Sequence, residues 1–334
     1  MRYGRPILAA SVFLAVAGAL AFGLLLRLRS ASPTAYRYRF GAMGTLAQCT
    51  FFTGDREHAD AAFAAVKSEF DRVTRACSLH DPESELSKLN REAGDGWFGC
   101  SPELWAVLSE SRRAHRASGG AFDITVKPLM ETWGFYRKRN KLPERAELEA
   151  ALERVGLDKL EWDETRRAVR FKVPGMALDL GGVAKGYALD LAAAAVLKLG
   201  VNSGVIDLGG NLYLLPKPPP GRSRYRVGIR SPSGSGDSGG VLELDGPCAV
   251  STSGSYERFT VLEGRRCGHV IDPSTGEAPF RDWSVTVAAP TGIESDWMSS
   301  AAFLRGEAAV PLLKRAVPAA EVRFVYAPRG ADGR

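Results

Sequence analysis

The chain has 334 residues, 45% of them hydrophobic and 25% charged, with a formal net charge of +6. That is ordinary globular composition, with enough material for a sizeable core in one large domain or two intimate ones. Lys and Arg are spread along the chain with no arginine-rich run and no interleaving of basic and aromatic residues, which argues against nucleic-acid binding. A mildly basic surface suits an anionic substrate or a membrane surface.

Residues Ile7–Leu26 form an uninterrupted apolar stretch, with Arg2 and Arg5 before it and Arg27 and Arg29 after it. About twenty such residues suffice to span a bilayer, and the run is longer than a signal-peptide core. An uncleaved membrane anchor is the favoured reading; a signal segment cleaved near Ser30–Ser32 is the alternative. Ser32-Pro33-Thr34 reads as a linker, setting a segment 1–35 apart from a domain over 36–330.

Tyr36–Phe52 alternates and is rich in β-formers, which predicts a first strand. In Arg56–Cys77 the residues Ala59, Ala62, Phe63, Val66, Phe70 and Val73 recur at helical spacing. Ser101 as N-cap and Pro102 at the first helical position open a helix that stops before Gly119-Gly120. Pro143–Val155 predicts another helix, and Ala168–Val173 a strand. Ala177–Leu180 reads as a strand entering the Gly181-Gly182 turn, with a helix running through Ala188–Leu199. Val205–Leu215 predicts a strand, Pro216–Gly221 a stiff connection, and the Gly/Ser-rich Ser231–Gly240 an exposed, mobile loop. Strands follow at Val241–Leu244, Tyr256–Leu262 and Ser284–Ala289, then a helix at Glu294–Leu304 and a strand at Val322–Tyr326. Strands and helices mix without strict alternation, so the class is α+β.

Five widely separated cysteines, Cys49, Cys77, Cys100, Cys248 and Cys267, lack any C-x-x-C pair, which argues against a zinc site or a disulfide framework. The run Ala177–Tyr187 is the most telling segment. Glycines at such a turn let backbone N–H groups approach an anion at a helix N-terminus. The spacing matches neither the dinucleotide fingerprint nor the Walker loop, and taken alone a Gly-Gly turn is tight packing. Taken alone, too, Met43 and Phe122 read as core residues, Asp123 as a turn or cap residue, and Tyr187 as packing on its own helix. His269 reads as a structural histidine and Asp296 as a helix cap beside solvated serines. Ser251-Thr252-Ser253 sits in no G-x-S-x-G elbow, so a serine hydrolase is rejected; these hydroxyls suit a phosphate or an acceptor peptide.

Six segments together say more. Gly41–Thr45, Ser84–Asn90, Gly119–Ile124, Asp179–Gly186, Ser251–Gly254 with Gly268–Pro273, and Asp296…Ser300 occur in the order seen in the ApbE family, which this chain resembles from about Tyr38 to Gly306. The resemblance implies a single α+β catalytic domain of the ApbE (T-fold-like) type behind the N-terminal apolar helix. It also implies an FAD:protein FMN transferase, in which FMN passes from FAD to a Thr or Ser hydroxyl of an acceptor protein and AMP is released. Flavin contacts would fall to Met43, His80, Ala121, Phe122, Asp123, Gly181, Tyr187, Val270 and Ile271. At His80 the family usually has an aromatic residue stacked on the flavin; imidazole stacks over less area. Hard oxygen ligands suit Mg²⁺, which the resemblance assigns to Asp296, Ser300 and the Ala184 carbonyl with Ser299 beside them, serine standing where the family has threonine. His269 would deprotonate the acceptor hydroxyl, as an imidazole titrating near neutrality can; Asp272 either orients it or caps the Asp-Pro turn. The implied partners are FAD, an acceptor that is a membrane-associated electron-transfer protein, and the membrane itself through residues 7–26, with the domain on the periplasmic or outer face of the inner membrane. The rival readings are an FAD pyrophosphatase and a tethered flavin-binding protein without catalysis.

Overall fold

The computed structural model describes residues 33–232, 238–256 and 259–327. The apolar segment Ile7–Leu26 and positions 233–237 of the predicted mobile loop lie outside them. Among the described residues no helix is long and apolar enough to cross a membrane.

The predicted first strand is a hairpin of β1 (Thr34–Ala42) and β2 (Thr45–Thr53), with Ala42 opposite Thr45. Met43 (φ 48°) and Gly44 (φ 72°) form its two-residue turn in the left-handed region. A methionine at such a position carries no turn signal, so the break is invisible in the sequence. Helix α1 (Arg56–Cys77) has the predicted bounds: Asp55 caps it by accepting from His58 N–H, and Ala59, Ala62, Val66, Phe70 and Val73 form its buried stripe. The short α2 (Glu85–Glu92), capped by Ser84, was not predicted. After β3 (Phe98–Gly99), helix α3 (Pro102–Ala117) begins at the predicted Ser101 cap. Then come α4 (Lys127–Thr132), α5 (Arg145–Leu152), β4 (Leu160–Asp163) and β5 (Ala168–Phe171), the strands pairing in the order β3-β5-β4.

Ala177–Leu180 is not a strand. Its backbone is held instead by a side chain and a loop: Asn90 bonds both the N–H and the carbonyl of Leu178 (2.7 and 3.0 Å), and Asp179 N–H donates to the Ile124 carbonyl at 2.7 Å. Helix α6 (Ala184–Lys198) follows. The predicted strand over 205–215 is a second hairpin, β6 (Gly204–Leu208) and β7 (Asn211–Leu214), turned by Gly209 (φ 63°) and Gly210 (φ 88°). Two more hairpins, β8 (Tyr225–Arg230) with β9 (Ser238–Leu244) and β11 (Phe259–Leu262) with β12 (Arg265–Gly268), flank β10 (Cys248–Gly254). Strand β9 takes in Ser238–Gly240, which the sequence placed in the loop. The chain closes with β13 (Trp283–Ala289), α7 (Gly292–Arg305), α8 (Val310–Ala316) and β14 (Glu321–Tyr326).

Seven strands form one antiparallel sheet in the order β1-β2-β6-β7-β10-β13-β14. Helices α1, α6 and α7 cover one face and share the main core with it. Central α6 packs against both others, which is why it is so rich in Ala and Leu. The β8–β9 hairpin lies on the other face through Tyr225, Ile229, Leu242 and Leu244. A second core gathers Leu129, Trp133, Ala151, Val155, Leu262, Cys267, Ile271 and Ala278 from α4, α5 and the β11–β12 hairpin. All five cysteines are free thiols, and burial pushes those of Cys49, Cys77 and Cys100 up to about 12.

Helices α6 and α7 cross where two glycines meet. A Cβ on Gly186 would lie 2.1 Å from the Gly292 carbonyl oxygen. Asp190 locks the crossing by accepting from the N–H groups of Gly292 and Ile293 (2.6 and 2.9 Å), and burial outweighs these bonds to raise its carboxyl to about 6. Gly186→Ala should force the helices apart at a cost on the order of 1–3 kcal/mol. An unchanged melting temperature would refute so close a crossing.

Candidate active site

The site begins at the turn into α6. Asp179 Oδ1 accepts from Gly181 N–H at 2.7 Å, and Tyr136 donates its hydroxyl to Oδ2 of the same carboxylate. This bracing shapes Gly181-Gly182 ahead of the N-terminus of a 15-residue helix, an arrangement that favours an anion. The Phe122 ring lies directly behind the turn: a Cβ on Gly182 would be 3.1 Å from it and 3.5 Å from Ser300 Oγ. Ala121, Phe122 and Asp123 are buried in the loop after α3, which bends through Gly119 and Gly120. The Asp123 carboxylate serves that loop, accepting from Thr125 N–H and Oγ1 (2.8 and 2.6 Å) and lying 3.4 Å from His115 Nδ1.

One turn further along, Asp296 projects from α7 with only 4% exposure. Its Oδ2 accepts from Gly186 N–H at 3.0 Å and its Oδ1 from Asn211 Nδ2 at 2.9 Å. Lys185 Nζ stands 3.6 Å from Oδ1 and donates to the Gly181 carbonyl at 3.2 Å. The carboxylate therefore joins α7, the start of α6 and the β6–β7 turn. Serine hydroxyls gather at its main-chain carbonyl: Ser299 Oγ lies 2.9 Å from both Ser253 Oγ and the Asp296 carbonyl, whereas Ser300 Oγ is held loosely at 3.4 and 3.5 Å from the same two partners. Among the described residues no three His, Cys, Asp or Glu side chains converge. A cation here would rest on hydroxyl and main-chain oxygens around one buried carboxylate. The oxygens that could hold Mg²⁺ here are hard ones, from Asp296, the loosely held Ser300 and the Ala184 carbonyl with Ser299 behind them, while Lys185 Nζ already stands beside the carboxylate.

Met43 reaches the same end of the sheet. Strand β2 pairs with β6, Gly209 N–H donates to the Leu46 carbonyl at 3.0 Å, and Thr45 sits against Gly209. The Met43 turn thus lies beside the turn that delivers Asn211 to Asp296. His80 stands exposed in the loop between α1 and α2, held by Ser78 Oγ accepting from its N–H at 3.1 Å. That loop is tied to the glycine turn through Asn90 of α2 and Leu178.

His269 directly follows β12. Val270 packs on the main core while Ile271 is buried in the second core, so the half-buried His269 sits where the two cores meet. Asp272 has the turn role rather than an orienting one. Its Oδ1 accepts from Ser274 N–H and Oγ (2.9 and 2.6 Å), and Arg305 bonds both carboxylate oxygens. Burial pushes its carboxyl up, but Ser274 and the Arg305 guanidinium outweigh that and hold it below the ordinary range.

Some predicted residues stand apart. Tyr187, two positions after Lys185 and so on the opposite side of α6, lines a groove of about 400 Å³ with Asp190, Tyr213, Glu110 and Ile293. Ser251 pairs with Ser295 and Thr252 with Thr286 (2.8 and 2.9 Å), which ties β10 to α7 and β13; only Ser253 of that trio faces the site. Sequence reading left Asp179, Lys185 and Asn211 without roles. Asp179 and Lys185 lie within the glycine-turn motif, while Asn211 is 85 residues from its partner and carries no local signal.

Comparison with known proteins shows the family. The sequence profile of the ApbE family matches residues 43–324. An FAD:protein FMN transferase of Klebsiella pneumoniae is 31% identical over 260 residues, covering 76% of this chain and 74% of that one. One of Treponema pallidum is 29% identical over 279 residues, covering 80% and 77%. The crystal structure of the ApbE protein of Thermotoga maritima superposes with a TM-score of 0.79 at 29% identity, covering 88% of this chain and 97% of that one. The apo flavinyl transferase ApbE of Pseudomonas stutzeri does so at 0.76 and 25%, covering 89% and 92%.

Proposed function

This chain belongs to the ApbE family, and on that premise we propose that it is an enzyme moving FMN from FAD onto a Thr or Ser hydroxyl of an acceptor protein, at a Mg²⁺-assisted site around Asp296. The observation that supports this reading is a glycine turn at the start of α6 followed, one helical turn on, by a buried carboxylate that accepts from Gly186 N–H, in a chain that the ApbE family profile matches.

The Gly181–Gly182 turn and Lys185 hold the pyrophosphate, and Phe122 closes the space behind the turn. Asp296, Ser300 and the Ala184 carbonyl would hold Mg²⁺, which would supply neutralisation of charge on the pyrophosphate. His269 accepts the proton of the acceptor hydroxyl as that oxygen bonds to the FMN phosphorus. The bond from that phosphorus to the bridging oxygen breaks, and AMP leaves with the electron pair. FMN stays on the acceptor through a phosphoester.

Incubating the full chain with FAD, Mg²⁺ and an acceptor tests this reading. AMP together with covalent, fluorescent flavin on the acceptor is the expected result. Free FMN plus AMP would mean a pyrophosphatase instead, and intact FAD a binding protein.

His80 occupies the stacking position in this scheme. His80→Tyr enlarges the ring face and should tighten FAD by about 0.5–1.5 kcal/mol. Equal or weaker affinity in a titration would remove residue 80 from the flavin.

The apolar run Ile7–Leu26 supports placement at the inner membrane with the 36–330 domain outside the cytoplasm and a membrane-associated electron-transfer protein as acceptor. Protease added to intact spheroplasts should then digest the domain. Protection until lysis would put the domain inside, and recovery in the soluble periplasm would mean the segment is cleaved.

A further inference from the structure

We infer that the outward face of the β11–β12 hairpin, together with Phe280, docks the acceptor protein by taking an apolar side chain next to a carboxylate; the inference rests on the transfer reading above. Strand alternation sends Leu262 and Cys267 to one side of the hairpin, where both are fully buried in the second core. The register sets Val261 opposite Arg266 and Phe259 opposite Gly268, so these residues share the other side. There Phe259 is 43% exposed, Val261 54% and Phe280 36%. The two phenylalanine rings meet edge to face at 5.8 Å, and the Arg266 guanidinium lies 5.7 and 5.6 Å from their centres.

Two features name the occupant. The neighbouring Arg265 pairs with Glu277 at 3.7 Å, whereas Arg266 makes no ion pair among the described residues. A guanidinium held over aromatic rings, with no ion pair among the described residues, is placed to bond a carboxylate in bidentate fashion, and aromatic and Arg side chains dominate binding at protein interfaces. The second feature is position. Phe259 pairs with Gly268, the residue before His269, so a chain anchored on this face brings its following residues to the base.

The test uses the full chain with FAD, Mg²⁺ and an extract, membranes included, of source cells lacking this protein; covalent flavin is read as fluorescent bands. Arg266→Glu and, separately, Phe259→Asp should slow labelling at limiting extract by about ten- to a hundredfold, as loss of an interface anchor does. FAD affinity and melting temperature should be unchanged, and added salt should slow the unmodified protein far more than Arg266→Glu. Equal labelling rates for variants and unmodified protein would overturn the docking face alone. No labelled band with the unmodified protein would overturn the transfer reading, and the docking face with it. If labelling is unchanged while Arg266→Glu dissociates a dimer or releases the chain from phosphatidylglycerol vesicles, the face belongs to a second copy or to the membrane.

Discussion

Asp296→Asn should all but abolish Mg²⁺-dependent transfer while leaving the fold in place. The wild-type carboxylate is nearly fully buried and would be the charged ligand of the proposed cation. Asn keeps one oxygen acceptor for Gly186 N–H or Asn211 Nδ2 but removes the charge that would hold the metal. A catalytic cation contributes several kcal/mol of charge stabilisation, so the rate should fall roughly a thousandfold or more. Asp296→Ala is the harsher change, because it strands two buried donors at about 1–3 kcal/mol each and should also lower the melting temperature. Comparing the two variants separates metal loss from unfolding. Undiminished Mg²⁺-dependent turnover in the Asn variant would take Asp296 out of the site.

His269→Ala should slow transfer by roughly a hundred- to ten-thousandfold, the range for loss of a general base. FAD binding and melting temperature should hardly move. Val270 on the main core and Ile271 in the second core anchor this segment on either side of the proposed base. Asp272, engaged by Ser274 and Arg305, keeps its turn whether or not the imidazole is present. A variant that loses rate, affinity and melting temperature together would make His269 a structural residue.

Features encoded within a few residues were legible beforehand. The stripe of α1, the Ser101-Pro102 start of α3 and the glycine turn before α6 depend on periodicity, capping and backbone freedom, all of which are local. The two hairpin turns were not legible. Met43 is no turn former, and reading 205–215 as one strand passed over the Gly209-Gly210 pair, whose positive φ angles turn the second hairpin. The 177–180 segment failed for the opposite reason: its apolar pattern suits a strand, but its hydrogen bonds go to Asn90 and Ile124 rather than to a neighbouring strand.

The active site divides along the same line. The sequence by itself determined the order of the motifs, and through them the family, the glycine turn before α6 and the chemical types of Asp296, Ser300 and His269. Only the tertiary structure decided that Asn211 and Lys185 meet Asp296, that Ser253 faces the serines of α7 while Ser251 and Thr252 hold strand and helix together, and that Tyr187 points the other way. Those outcomes depend on strand register and on a helix crossing at two glycines. Register and crossing are set by packing between segments far apart in the chain, and no local pattern of residues encodes them.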